Sequence, residues 1–275
     1  MFLTHLVNQF GNHFQGLLIG KVYNPSTMGY YSKAQGTEKL ASTSISSVMT
    51  QVTYPLYAEA QDDKAKLCNM IRRITMTLAY VTFPLMFILL LCARPLFVLL
   101  YSDRWLQSVP YFQVLCIAGL AFCLQSVNYQ SIAAVGKSKA MFWWTVLKRG
   151  IGIGFVVGGL ALFGMVGLLV GMVLNTWFSY FVNIWLVSKH IGYKWWKQLT
   201  DLAPILLVSA MAAVICYFLG KTMNLSLYGD GVLKLLTYTF LYVMWSLLFN
   251  PESYRYFMSI HTPMASKIAN RKRKE

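Results

Sequence analysis

Long, nearly uninterrupted runs of apolar residues dominate this sequence and restrict the folds that are open to it. Two of these runs are residues 75–92 and 151–174, and short clusters of Lys, Arg, Gly and Pro separate such runs. The hydrocarbon core of a bilayer is about 30 Å thick, so a spanning helix needs about 20 apolar residues. Only 12% of the residues are charged, against about 25% in a soluble domain. The sequence therefore predicts an all-α integral membrane protein.

About eight segments have the length and hydropathy of transmembrane helices. They are residues 3–22, 40–59, 70–91, 111–135, 142–163, 166–188, 202–220 and 232–249. Residues 94–105 are expected to form a shoulder at the membrane surface, and residues 251–275 a basic, solvated tail.

The basic residues predict how the chain is oriented. The net charge is +15, and the basic residues flank the apolar runs, which favours a role in membrane topology over nucleic-acid binding. Counted over alternate loops, 17 basic residues lie on one side and 7 on the other. Because cytoplasmic loops carry the excess of Lys and Arg, both termini are expected in the cytoplasm.

Polar residues are concentrated in the first two predicted helices and follow helical spacing. Such stripes avoid lipid, so they either pack against other helices or line an aqueous cavity. Long amide side chains in the first helix favour the cavity. The candidate cavity residues are His5, Asn8, Gln9, Asn12, Gln15, Ser47, Thr50 and Gln51.

The charged residues indicate which substrates suit such a cavity. All nine acidic residues are expected in loops or at helix ends, so no carboxylate is expected within the membrane to bind a cation or to couple transport to an ion gradient. Basic residues near helix ends serve either as topology anchors or as contacts for phosphate or pyrophosphate. The candidate anion contacts are Lys21, Lys148 and Arg149.

Signals for enzyme chemistry are weak. The five cysteines and four histidines are dispersed, without the spacing of a metal site, a disulfide framework or a catalytic nucleophile. Asp62-Asp63 stands beside lysines, without further carboxylates to hold a divalent metal. We therefore expect no catalytic residue, metal ion or cofactor.

Several motifs between Gly16 and Ser138 resemble the second half of the bacterial polysaccharide flippases. These proteins belong to the multidrug, oligosaccharidyl-lipid and polysaccharide exporter superfamily. The matching elements, in sequence order, are Gly16-Leu17-Leu18-Ile19-Gly20-Lys21 with Met28-Gly29-Tyr30-Tyr31; Tyr54-Pro55 with Gln61-Asp62-Asp63; Arg94-Pro95-Leu96-Phe97-Val98-Leu99-Leu100; Trp105, Val109-Pro110 and Gln113-Val114-Leu115; and Gly136-Lys137-Ser138.

The resemblance implies a fold and a function. Family members pack two six-helix bundles around a central cavity, often with two extra C-terminal helices, and flip undecaprenyl-pyrophosphate-linked oligosaccharides across the inner membrane by alternating access. Residues 1–190 would then form the second bundle, whose first helix would be clipped at its start, and residues 191–250 the extra pair. A first bundle, from the same gene or a separate chain, is an expected partner, together with the bilayer and the lipid-linked oligosaccharide.

Three other functions remain as alternatives. A small-molecule exporter of the same superfamily is disfavoured by the expected lack of an intramembrane carboxylate. A membrane glycosyltransferase or polymerase would depend on Asp62. A structural partner of an export complex would not transport at all.

Overall fold

The described part of the chain is almost entirely helical. The computed structural model describes residues 19–20, 22–223, 225–249 and 251–258. Its helices are α1 (Pro25–Glu59), α2 (Lys64–Leu91), α3 (Ala93–Tyr101), a 3-10 helix (Asp103–Ser108), α4 (Val109–Ala134), α5 (Ser138–His190), α6 (Trp195–Met223) and α7 (Leu227–Phe249). A further short helical segment covers residues 252–258.

The first helix of this set begins earlier than the sequence predicts. Residues 40–59 were expected to be helical, but α1 starts at Pro25. Asn24 caps it by accepting hydrogen bonds from the backbone N–H and the hydroxyl of Thr27, at 2.9 and 2.7 Å, and Pro25 occupies the favoured first position. Hydropathy alone missed residues 25–39 because this stretch is rich in Ser, Thr, Gly and Lys.

The longest helix is a folded hairpin. Phe163 and Gly164 depart from helical geometry inside α5, and Gly164 has φ +60°, a left-handed conformation that glycine adopts without a steric penalty. Residues before and after this turn face each other, as the Trp144 and Trp185 rings show with centroids 5.1 Å apart. The two arms of α5 correspond to the predicted helices 142–163 and 166–188, whose boundary is confirmed.

A glycine seam lets the two arms of α5 approach closely. A Cβ added to Gly159 would overlap the backbone carbonyl of Gly167, and one added to Gly171 would overlap the carbonyl of Phe155. Small residues at such seams are the common means by which membrane helices pack.

Within the part of the chain that the structure describes, five helices are long and apolar enough to cross a membrane: residues Lys64–Leu91, Asp103–Ala134, Lys139–His190, Trp195–Met223 and Leu227–Phe249. With the hairpin counted as two, they account for six of the eight predicted transmembrane segments. The α1 helix is too polar to belong to this set. The predicted segment 3–22 lies outside the described residues except at its end, where residues 19, 20 and 22 are helical.

The helices form a bundle with two distinct ends. One, the Glu59 end, holds the loops 60–63, 135–137 and 191–194; the other, the Pro25 end, holds the turn at Gly164 and the shoulder of α3 and the 3-10 helix. The α4 helix packs on α1, α2 and α5, and is therefore the centre of the bundle. The α6–α7 pair packs mainly on α2, partly through hydrogen bonds from Tyr80 to Ser246 and from Tyr242 to the Tyr80 carbonyl, at 2.7 and 2.9 Å.

Candidate functional site

A polar cleft of about 460 Å³ lies between α1, α4 and both arms of α5. Most of the bundle is filled by apolar side chains, so a cavity lined by charges, amides and hydroxyls stands out as the place where a polar ligand would be received. Its polar lining residues are Gln35, Glu38, Lys39, Ser42, Ser46, Thr50, Gln125, Ser126, Tyr129, Gln130, Thr145, Lys148, Arg149, Asn175, Thr176, Ser179 and Asn183.

One stripe of α1 forms a wall of this cleft. Gln35, Glu38, Ser42, Ser46 and Thr50 recur every three or four residues, so they share one face of the helix. At its Pro25 end the stripe is fixed by Gln35, which donates a hydrogen bond of 2.5 Å to the hydroxyl of Tyr31. The helix therefore points a continuous row of polar groups into the cleft.

Glu38 corrects the expectation that every carboxylate lies in a loop or at a helix end. It stands in the body of α1 and is only 7% exposed. Its Oε1 atom lies 2.8 Å from the point where a Cβ of Gly119 would be, within an apolar segment of α4 that is long enough to cross a membrane. The expectation failed because the helix was taken to begin at Leu40, which left Glu38 in a loop.

Two basic residues of the first α5 arm line the same cleft. Lys148 donates a hydrogen bond of 2.7 Å to the Oδ1 atom of Asn183 on the second arm. Arg149 follows it and is also part of the lining. Adjacent positive charges that are partly withdrawn from water attract and hold an anion more strongly than exposed ones do.

The cleft also contains buried polar atoms without a hydrogen-bond partner among the described residues. They include the hydroxyl of Thr145 and the Oδ1 atom of Asn175. An unpartnered buried polar atom is unfavourable by about 1–3 kcal/mol. A ligand with hydroxyl groups would supply the missing hydrogen bonds.

The sequence-based candidates fall into three groups. Thr50, Lys148 and Arg149 line the cleft. Ser47 and Gln51 are exposed on another side of α1 and are not among the residues that line the cleft. The candidates of the first predicted helix, His5, Asn8, Gln9, Asn12 and Gln15, and the anion contact Lys21 lie outside the described residues.

The sequence prediction missed most of the cleft. On α1, extending the helix back to Pro25 would have revealed the stripe from Gln35 to Thr50. On α4 and α5, the amides Gln125, Asn175 and Asn183 interrupt otherwise apolar segments, and intramembrane polar residues of this kind usually face a cavity or a partner helix. No comparable signal indicated which helices meet to form the cleft.

Comparison with known families supports the resemblance found in the motifs. Residues 1–110 match the family described as "Polysaccharide biosynthesis protein". The teichuronic acid biosynthesis protein TuaB of Bacillus subtilis (strain 168) is 26% identical over 141 residues, covering 51% of this chain and 29% of TuaB. The lipopolysaccharide biosynthesis protein WzxC of Escherichia coli (strain K12) is 22% identical over 219 residues, covering 78% of this chain and 44% of WzxC.

A solved structure shares the fold. The lipid II flippase MurJ, in an inward closed conformation, superposes with a TM-score of 0.74 at 15% sequence identity, covering 90% of this chain and 52% of MurJ. The described residues therefore share the fold of MurJ, and the prediction of an all-α membrane protein is confirmed. The chain spans less than half the length of TuaB and WzxC and about half that of MurJ.

Proposed function

We propose that this chain, a relative of the polysaccharide flippases, forms one half of a transporter for polysaccharide precursors. The complete transporter would flip an undecaprenyl-pyrophosphate-linked oligosaccharide across the bacterial inner membrane by alternating access. The observation that carries the proposal is the cleft, in which Lys148 and Arg149 meet a wall of hydroxyls and amides inside an apolar bundle. In this role the protein is a transporter and not an enzyme.

The chemistry of the cleft suits both polar parts of such a substrate. The pyrophosphate carries negative charge, which Lys148 and Arg149 bind through charge-assisted hydrogen bonds. The sugar units present hydroxyls, which pair with the unpartnered oxygens of Thr145 and Asn175. The undecaprenyl chain stays in the lipid, because transferring it into a polar cleft would be unfavourable.

The exposed side of α1 is the proposed contact with a first six-helix bundle. Thr43, Ser44, Ser47 and Gln51 are exposed there. The three hydroxyls donate hydrogen bonds to carbonyls of α1, but no such bond is found for the amide of Gln51 among the described residues, and a polar amide avoids lipid. A bundle from the same gene or from a separate chain would cover this side and close the central cavity. Residues 1–190 then act as the second bundle, 191–250 as two additional helices and 251–275 as a cytoplasmic tail.

The proposal predicts that the two basic residues of the first α5 arm, Lys148 and Arg149, are needed for substrate binding. Lys148→Gln combined with Arg149→Gln should weaken binding of undecaprenyl pyrophosphate by the chain in nanodiscs at least 10-fold, because each lost charge-assisted hydrogen bond is worth about 1.5–3 kcal/mol. The same change in the complete transporter should abolish polysaccharide export by a strain that lacks its own transporter.

Lys139→Gln is the matched control. Lys139 is exposed, lies on the same arm of α5 and is absent from the cleft lining, so its replacement should leave binding and export unchanged. Unaltered export by the Lys148 and Arg149 double variant, at normal protein levels, would contradict the proposal.

Glu38 supports a second candidate function, export of a small organic cation. A buried carboxylate in the cleft is the group such a substrate requires. This alternative predicts that cells lacking the protein accumulate a cationic dye, and that Glu38→Gln prevents rescue whereas the Lys148 and Arg149 double variant does not.

A further inference from the structure

Glu38 is unusual because it is buried and forms no ion pair with another described residue, although Lys39 beside it also lines the cleft. Among the residues that the structure describes, the ion pairs are Arg72 with Asp201 and with Glu252, and Lys234 with Asp230, and none includes Glu38. A buried carboxylate is unfavourable unless other groups donate hydrogen bonds to it. The neighbouring Ser42 hydroxyl has no hydrogen-bond partner among the described residues, so the acceptor capacity of the Glu38 carboxylate remains free.

The structure makes room for this carboxylate at the surface of the cleft. Gly119, on the facing helix α4, has no side chain, and a Cβ there would meet the Oε1 atom of Glu38 at 2.8 Å and the sulfur of Met86 at 2.9 Å. Both Glu38 and Gly119 line the cleft. The carboxylate therefore faces a space that a ligand can enter, instead of being packed into the core.

Glu38 lies well away from Lys148 and Arg149 along the bundle. Gln125, six residues beyond Gly119 on α4, donates a hydrogen bond to the Thr176 carbonyl on the second arm of α5, at 2.8 Å. Asn183, the partner of Lys148, follows Thr176 by seven residues. At 1.5 Å per residue these steps place Glu38 about 20 Å from Lys148, toward the Pro25 end.

We propose, on the basis of the proposed function, that Glu38 binds a sugar unit of the lipid-linked oligosaccharide and selects against acidic sugars at that position. Hydroxyl groups of the sugar donate hydrogen bonds to the carboxylate, while the pyrophosphate occupies the region of Lys148 and Arg149. Because of the separation, the sugar that reaches Glu38 is one beyond the unit joined to the pyrophosphate. A uronic acid at this point would bring a second negative charge beside Glu38, which is strongly unfavourable in a buried site.

The test compares three ligands in nanodiscs that contain the full chain, at pH 8, by native mass spectrometry. The ligands are undecaprenyl pyrophosphate, the same lipid carrying a neutral tetrasaccharide, and the same lipid carrying a tetrasaccharide with uronic acids beyond its first sugar. The unaltered chain should bind the neutral conjugate at least 10-fold more tightly than the acidic one, as expected for loss of one or more charge-assisted hydrogen bonds and addition of a like charge.

Glu38→Gln should remove this preference and leave the affinity for undecaprenyl pyrophosphate unchanged. Glu59→Gln makes the same chemical change at an exposed position of the same helix, outside the cleft lining, and should keep the preference. Gly119→Ala, whose Cβ would displace the Glu38 carboxylate, should weaken it. The thermal unfolding midpoint of each variant is measured as well, so that misfolding is distinguished from loss of recognition.

Each outcome decides a different claim. Equal binding of the neutral and acidic conjugates by the unaltered chain, or an undiminished preference in Glu38→Gln, overturns the role of Glu38 while leaving the pyrophosphate site intact. If the unaltered chain fails to bind undecaprenyl pyrophosphate, the proposed function fails and the role of Glu38 fails with it.

Discussion

At the scale of single residues, Arg72 joins three parts of the chain through one guanidinium group. Its Nε and Nη2 atoms donate to the two carboxylate oxygens of Asp201 on α6, at 2.7 and 2.9 Å, and Nη2 also donates to Glu252 at 2.7 Å. Tyr193 donates a further bond of 2.7 Å to Asp201. Burial and this hydrogen bond raise the pKa of Tyr193, so its hydroxyl remains a donor at neutral pH. We define Arg72, Tyr193, Asp201 and Glu252 as the Arg72 cluster.

Removal of the central charge should loosen the C-terminal part of the chain. Arg72→Gln is expected to lower the free energy of unfolding by about 2 kcal/mol, because it breaks charge-assisted bonds to a largely buried carboxylate. The thermal unfolding midpoint in detergent should fall by several degrees. Arg94→Gln, at an exposed position, is the control and should change the midpoint little. An unchanged midpoint for Arg72→Gln would show that the cluster is not stabilising.

The charged residues also show what the sequence leaves undetermined. Arg72, Lys148 and Arg149 all appear as basic residues near helix ends, where a topology anchor and an anion contact have the same sequence pattern. Their roles separate only when the fold brings Asp201 to Arg72, and Asn183 to Lys148. Arg72 and Asp201 are 129 residues apart in the sequence, and Lys148 and Asn183 are 35 apart. Hydropathy over a short window gives no information about contacts between residues so far apart.

At the scale of elements, the α5 hairpin depends on glycines whose surroundings differ. Gly159 lies in the seam, where an added Cβ would overlap the backbone of the other arm, whereas a Cβ on Gly154 would meet nothing within 4 Å. The two positions thus offer a matched pair of substitutions on one helix.

Gly159→Ala should destabilise the hairpin, and Gly154→Ala should not. The first change forces the arms apart and weakens their packing, while the second introduces a better helix former and is expected to stabilise by up to about 1 kcal/mol. Thermal unfolding of the two variants in the same detergent gives the comparison. Similar midpoints for both variants would mean that close approach at Gly159 contributes little.

The apolar helices were predicted better from the sequence than the polar helix α1 was. The apolar segments of α2, α4, α5, α6 and α7 all carry the expected signal, and the turn at Gly164 falls between the two segments predicted there. The α1 helix is different, because its Pro25 end combines a capping Asn, a Pro and polar residues that also occur in loops. The missed start of this one helix concealed Gln35 and Glu38, two of the five residues of the cleft stripe.

At the scale of the whole molecule, the two ends of the bundle differ in charge. The loops expected in the cytoplasm, at residues 60–63, 135–137 and 191–194, lie together at the Glu59 end. Lys189 lies just before the last of these loops and Lys194 lies within it. Their ammonium groups lie over the rings of Trp185 and Trp196, at 5.2 and 5.4 Å from the ring centroids. Basic and aromatic residues in this arrangement are typical of a cytoplasmic membrane interface.

This asymmetry predicts the orientation of the chain in the membrane, which under the proposed function is the inner membrane. In a variant whose five native cysteines are replaced by Ala, Asp62→Cys should resist a membrane-impermeant maleimide in cells with a permeabilised outer membrane. Ser226→Cys, at the Pro25 end, should react under the same conditions. Lysed cells provide the control, because both sites should then be labelled. The reverse pattern in intact cells would invert the proposed topology.

The turn at Gly164 has a consequence for the surrounding lipid. It exposes Leu162, Phe163 and Val166, with relative accessibilities of 76%, 75% and 68%, and residues 150–188 contain no charged side chain. From Trp144 to Phe163 the arm rises about 28 Å, close to the thickness of one hydrocarbon core. The hairpin is therefore matched to a bilayer of ordinary thickness, with little length to spare. In lipids with longer acyl chains, the bilayer would have to thin around the apolar tip of the α5 hairpin. A change in membrane thickness would therefore act directly on this hairpin.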